Sequence, residues 1–212
     1  MLFYKMSIFY EALTKANQLM NLTSITDAEE AEQKHFIDSL KALPFLYGEV
    51  LDIGAGAGFP SVPLAICMPD VSFTLVDSVG KKLDFIESVK ELLRLHNIKT
   101  VKSRAEDLPK TKRYDCVLAR GVAPLNILCE YCLPFIKQGG LLIAYKAQKA
   151  EEEVKAAQNA LKILGGMVEK IMAYQLAVQE EKHGRNLILI QKIKECSGLY
   201  PRSGNKPRLK PL

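Results

Sequence analysis

The sequence predicts an α/β fold: a mostly parallel, seven-stranded sheet with a C-terminal antiparallel hairpin, preceded by a helical cap. Three observations lead there. Residues 1–45 carry helical spacing and no strand pattern. From residue 49 onward, short apolar runs alternate with amphipathic stretches, the mark of strands joined by crossover helices. The last two apolar runs stand too close for such a helix, so they must pair antiparallel. The expected division is one domain: cap 1–45, core 46–195, basic tail 196–212.

The elements follow in order. Phe3, Ile8, Phe9, Leu13, Ala16 and Met20 share one face of a helix over residues 3–20. Asn21 to Ser24 interrupt it. A second helix starts near Thr26, where Thr26 and Glu29 form a capping box, and ends before Pro44. Strands are expected at 49–53, 72–77, 99–102, 114–119, 140–145, 168–174 and 186–192. Helices are expected at 60–67, 81–95, 124–136 and 148–164.

Composition narrows the classes. With 48% hydrophobic and 25% charged residues, the chain reads as an ordinary soluble globular protein. No apolar run approaches the roughly 20 residues of a membrane span, and the N-terminus shows no signal-peptide pattern. A cytoplasmic protein without membrane contact is expected. Five cysteines in no regular frame fit free thiols in a reducing compartment. Cys129 and Cys132 form a C-x-x-C inside an apolar helix, without a second ligand pair for zinc. They read as core residues, and no metal is expected. The net charge is +5, and residues 201–212 hold Arg202, Lys206, Arg208 and Lys210 with no acid. Such a tail suits a polyanion or a solvated end.

The chemistry lies at the strand ends, where open parallel sheets bind ligands. The first strand runs into Gly54, Gly56 and Gly58. A dinucleotide fingerprint would place its third glycine at position 59, which is Phe59. Asp52 just before the loop suits a cationic amino-acid ligand and would sit badly beside a pyrophosphate. Asp77, ending the second strand, can accept from both hydroxyls of a ribose. Together these acids favour S-adenosylmethionine over a nicotinamide cofactor in a Rossmann-like core. Ala105 and Glu106, after the third strand, are candidates to read an adenine edge. Arg120 closes the fourth strand at the mouth of the site. The three histidines, His35, His96 and His183, are scattered and form no Ser-His-Asp set. His35 reads as a packed or capping residue.

Taken in order, these segments resemble the bacterial small-subunit ribosomal RNA methyltransferase G family, long called glucose-inhibited division protein B. The likeness rests on residues 34–40, the glycine loop with Phe59-Pro60, 76–82, 104–107, 119–125 and 200–207, and covers nearly the whole chain. It implies a class I methyltransferase that transfers methyl from S-adenosylmethionine to N7 of a guanine in 16S rRNA. The substrate would be the small subunit or an assembly intermediate, and the protein a monomer. Gly54, Phe59, Ala105, Glu106 and Arg120 then fall on cofactor-contacting positions. With Asp52, Gly56, Gly58, Asp77 and Ser78 they make the expected cofactor set. Arg120 and Lys146 are the candidates to border the base pocket. Gly121-Val122 stands where the family usually has Ala-Phe, and Tyr145-Lys146-Ala147 where it has Leu-Lys-Gly. Guanine N7 carries a lone pair and no proton, so no general base is expected. Apart from the resemblance, the residues leave two alternatives: a methyltransferase of the same fold acting on another RNA, a protein or a small molecule, and a nicotinamide-dependent oxidoreductase.

Overall fold

The computed structural model describes residues 2–212. Helix α1 (Leu2–Met20) buries Phe9 and Leu13. Phe9 packs against Phe36, Phe59 and Phe85, which fastens α1 over the sheet. A turn follows, in which the Asn17 side chain bonds both the carbonyl and the amide of Thr23. The next helix runs as α2 (Ala28–Ala31), a wider π-helical stretch (Glu32–Ile37) and α3 (Asp38–Leu40). Its cap is Asp27, whose carboxylate accepts from the Glu30 amide at 2.8 Å. The capping frame is therefore one residue later than Thr26–Glu29. In the preceding turn the Thr23 hydroxyl bonds the His35 ring at 2.8 Å.

The sheet comprises β1 (Glu49–Ile53), β2 (Ser72–Asp77), β3 (Ile98–Lys102), β4 (Tyr114–Arg120), β5 (Ile136–Lys146), β6 (Gly166–Val178) and β7 (Glu181–Lys192). Its order is β3-β2-β1-β4-β5-β7-β6. The first five strands run parallel, and β7 enters antiparallel between β5 and β6. Chain order reverses between β1 and β4, so their carboxyl ends open a crevice there.

Helices α4 (Ser61–Cys67) and α5 (Gly80–Leu93) cover one face together with the cap. Helices α6 (Leu125–Cys132), α7 (Ala150–Ala156) and α8 (Gln158–Leu164) cover the other. Cys129 and Cys132 are fully buried there, and burial pushes the Cys129 thiol up to about 12.

The largest boundary differences from the sequence expectation fall in the second half of the chain. The helix expected over 124–136 stops at Cys132, before Pro134, which has no amide to extend it; a 3-10 turn (Leu133–Phe135) then leads into β5, which begins at Ile136 rather than 140. The helix expected over 148–164 breaks at Ala157. The β6–β7 hairpin extends to Val178 and Glu181, beyond the expected ends at 174 and 186. Leu176 and Val178 are buried in this extension between exposed neighbours, and the polar run 179–185 follows them, so its sequence reads as a loop. The tail also differs from a free end. It forms a short helix α9 (Lys206–Leu209), and Tyr200 and Leu212 pack against the α6 side of the core.

Candidate functional site

At the crevice the chain leaves β1 through three glycines with positive φ. The Gly54 and Ala55 amides donate to the Val76 carbonyl, and the Gly56 amide donates to Asp77 at 2.9 Å. The other Asp77 oxygen accepts from the Val79 amide at 2.9 Å. Asp77 thus ties the glycine loop to the start of α5, and each oxygen keeps a second lone pair for a ligand. Gly54 and Gly58 are restricted for different reasons. A Cβ at Gly54 would stand 2.7 Å from Val122 Cγ2, across the crevice; one at Gly58 would stand 2.6 Å from Val62 Cγ2, in the core.

A cavity of about 590 Å³ opens beside this loop. It brings together Gly54, Asp77, Ser78, Ala105 and Glu106 from the expected set, joined by Val122 and Tyr131. The remaining five lie outside its lining. Gly56 holds Asp77. Gly58 and Phe59 turn toward the cap, where Phe59 stacks on His35 at 4.4 Å. Burial and the nearby Arg120 lower the His35 pKa to about 4, so its ring is neutral.

Asp52 sits behind the loop, 1% exposed. Ser61 Oγ donates to its Oδ2 at 2.6 Å, but Oδ1 is buried without a partner. Burial raises its pKa to about 7, against the Ser61 hydrogen bond and the positive Arg120. An orphaned buried carboxylate oxygen costs free energy unless something cationic or hydrogen-bonding meets it.

Arg120 points to the cap. It donates to the Lys34 carbonyl and to Asp38, each at 3.0 Å, and lies over the Phe59 ring at 5.5 Å. Tyr174 donates to the other Asp38 oxygen at 2.6 Å. Arg120 and Lys146 line a second, smaller cleft of about 280 Å³ with His35, Asp38 and Arg185. Lys146 is held there by the Ala123 carbonyl and by Glu153 at 2.6 Å. Gly121 lines both the main cavity and this cleft.

Sequence reasoning did not select Asp38, Glu130, Tyr131, Val122 or Glu153. Glu130 carried a usable signal, as a lone acid within an apolar helix. The sequence marks Val122 only as a departure from the family's usual residue; its importance comes from facing Gly54.

A Gly54→Ala variant is expected to fold and lose cofactor affinity by roughly tenfold or more, since Val122 must move and the backbone is strained. Adding Val122→Ala should restore part of it. Calorimetric titration with S-adenosylhomocysteine checks both.

Comparison with known proteins adds the context. The family model described as rRNA small subunit methyltransferase G matches residues 3–187. A relative from Desulfitobacterium hafniense, named ribosomal RNA small subunit methyltransferase G, is 43% identical across 98% of this chain and 88% of its own. One of the same name from Bacillus subtilis is 41% identical across 97% and 88%. Among solved structures, M. jannaschii TYW2 in complex with AdoMet superposes with a TM-score of 0.60 at 17% identity, over 74% of this chain and 76% of that one. NSun6 from Pyrococcus horikoshii gives 0.62 at 14% identity, over 82% and 57%. The fold is that of the class I methyltransferases.

Proposed function

Because the chain belongs to the rRNA small subunit methyltransferase G family, we propose that it methylates N7 of a guanine in 16S rRNA with S-adenosylmethionine as donor. The observation that carries the cofactor reading is the pair of acids flanking one glycine loop. Asp77 faces the cavity with free lone pairs, and Asp52 presents an orphaned oxygen behind the loop. A donor with a ribose and a cationic amino-acid end answers both.

Asp77 and Ser78 would hold the ribose, and Ala105 and Glu106 the adenine. Gly54 would let the ligand lie against backbone. Asp52 would meet the ammonium, directly or through water. Gly56 would shape the loop by holding Asp77, and Phe59 by stacking on His35. The bound donor supplies an electrophilic methyl group on a sulfonium. Guanine N7 offers its lone pair without first losing a proton, so the protein's part is positioning. Arg120 and Lys146 would border the base from the neighbouring cleft, and Gly121 is where the two spaces meet. Holding two reactants aligned is worth roughly 7–11 kcal/mol, enough to explain a site without a general base.

Asp52 makes the cofactor reading testable by pH. Its pKa is raised to about 7 in the free protein, and a cation beside it favours the charged form. Affinity for S-adenosylmethionine should therefore rise about fivefold to tenfold between pH 6 and 7.5, with proton release on binding. Asp52→Asn should bind more weakly and lose this dependence. For the substrate, the test is transfer of labelled methyl to small subunits lacking the modification. Label entering protein or large-subunit RNA instead would refute the reading.

A further inference from the structure

The tail is a strap latched over the cavity. Arg202 forms a two-pronged ion pair with Glu130, Nε to Oε1 at 2.8 Å and Nη2 to Oε2 at 2.6 Å, and its amide donates to the same carboxylate. Glu130 is fully buried, so this anchor is sheltered from solvent. The same guanidinium donates to the Lys210 carbonyl at 2.9 Å. One side chain therefore closes the strap into a loop between residues 202 and 210 and fixes that loop to α6.

That closure delivers Asn205 and Arg208 to the wall of the main cavity. Arg208 is held by the Val122 carbonyl at 3.3 Å, the same residue that faces Gly54. Tyr131, on α6, lines the same cavity as Arg208 and Glu106. The Ala105–Asp107 turn and α9 both pack on α6, so Glu106 and Arg208 stand at the same end of the cavity. The cationic end of the expected donor belongs elsewhere, near Asp52, where a guanidinium at the ligand would repel it. A purine offers ring-nitrogen acceptors and, in adenine, an amino donor. An arginine and an asparagine at one edge match that set.

We propose that residues 201–212 form the outer wall of the nucleoside end of this cavity, with Arg208 and Asn205 as purine-recognising residues. This rests on the S-adenosylmethionine reading above, and it gives the strap's basic residues a role other than holding RNA.

The test measures the affinity of adenosine and S-adenosylhomocysteine for wild type, Arg208→Ala, Asn205→Ala and the control Lys206→Ala, with the KM for RNA determined alongside. Arg208→Ala should weaken both nucleosides about tenfold, as expected for one lost charge-assisted hydrogen bond. Asn205→Ala should weaken them less, and Lys206→Ala not at all. The KM for RNA and the melting temperature should hold. Undiminished nucleoside affinity with a raised KM for RNA would overturn the proposal and make the strap an RNA contact. Wild-type protein that bound neither nucleoside would overturn the cofactor reading itself, and that outcome is distinct because the variants would not differ from wild type.

Discussion

Arg120→Ala is expected to lose methyl transfer by at least about a hundredfold and to destabilise the protein by about 3 kcal/mol. The two effects share one cause. Arg120 ends β4 yet makes its bonds to the cap, to the Lys34 carbonyl and to Asp38. Asp38 is 4% exposed, and without Arg120 only the Tyr174 hydroxyl remains on its carboxylate. A buried charge stripped of its cation is costly. The cap would loosen from the mouth of the site, and the cleft between Arg120 and Lys146 would lose its wall. For a chain of this size the melting temperature should fall roughly 6–12 °C. Arg120→Lys should recover little, because one ammonium cannot reproduce the planar fork. S-adenosylhomocysteine affinity should fall far less than transfer does, since Arg120 is not in the main cavity's lining. An Arg120→Ala protein with wild-type turnover would remove the residue from the site altogether.

The Arg202→Ala variant should show the opposite balance. Glu130 lies fully buried in α6, and Arg202 is its cation. Removing that partner should cost about 3–5 kcal/mol, as for other broken buried pairs. The strap should then leave the cavity wall. Thermal unfolding reads the first effect, and tryptic cleavage after Arg208 reads the second. Glu130→Gln is the milder companion, because it removes the buried charge and leaves Arg202, 24% exposed in its side chain, to water. Equal loss in both variants would contradict the asymmetry of burial.

Much of the architecture was legible from periodicity. The span expected for β2, residues 72–77, coincides with the strand, and that for β1, residues 49–53, does too. Apolar runs in buried parallel strands leave little ambiguity. The hairpin extension was harder to read, because its two buried residues, Leu176 and Val178, are followed by the polar run 179–185. The π-helical stretch in the cap was also invisible, since local propensity does not distinguish it from an α-helix.

The site divides in the same way. Gly54, Asp77, Ala105 and Glu106 could be picked from the ends of strands, where parallel sheets bind ligands. Phe59 and Arg120 could be picked too, but their direction could not. Both turn to the cap, through contacts with His35, Lys34 and Asp38 that join segments more than 20 residues apart. The strap was the hardest part. Four basic residues without an acid suggest a free polyanion-binding tail until Glu130 is seen buried beneath them. Arg202 is then a structural cation, and Arg208 is held by the Val122 carbonyl.

The most direct measurement of the central claim is the position of the added methyl. Small subunits from a strain lacking this gene are incubated with the protein and labelled S-adenosylmethionine, and the 16S rRNA is digested and mapped by mass spectrometry. The expected result is one methyl, on N7 of a single guanine, absent when Asp77→Ala protein is used. A methyl on another atom, or on another base, would contradict it.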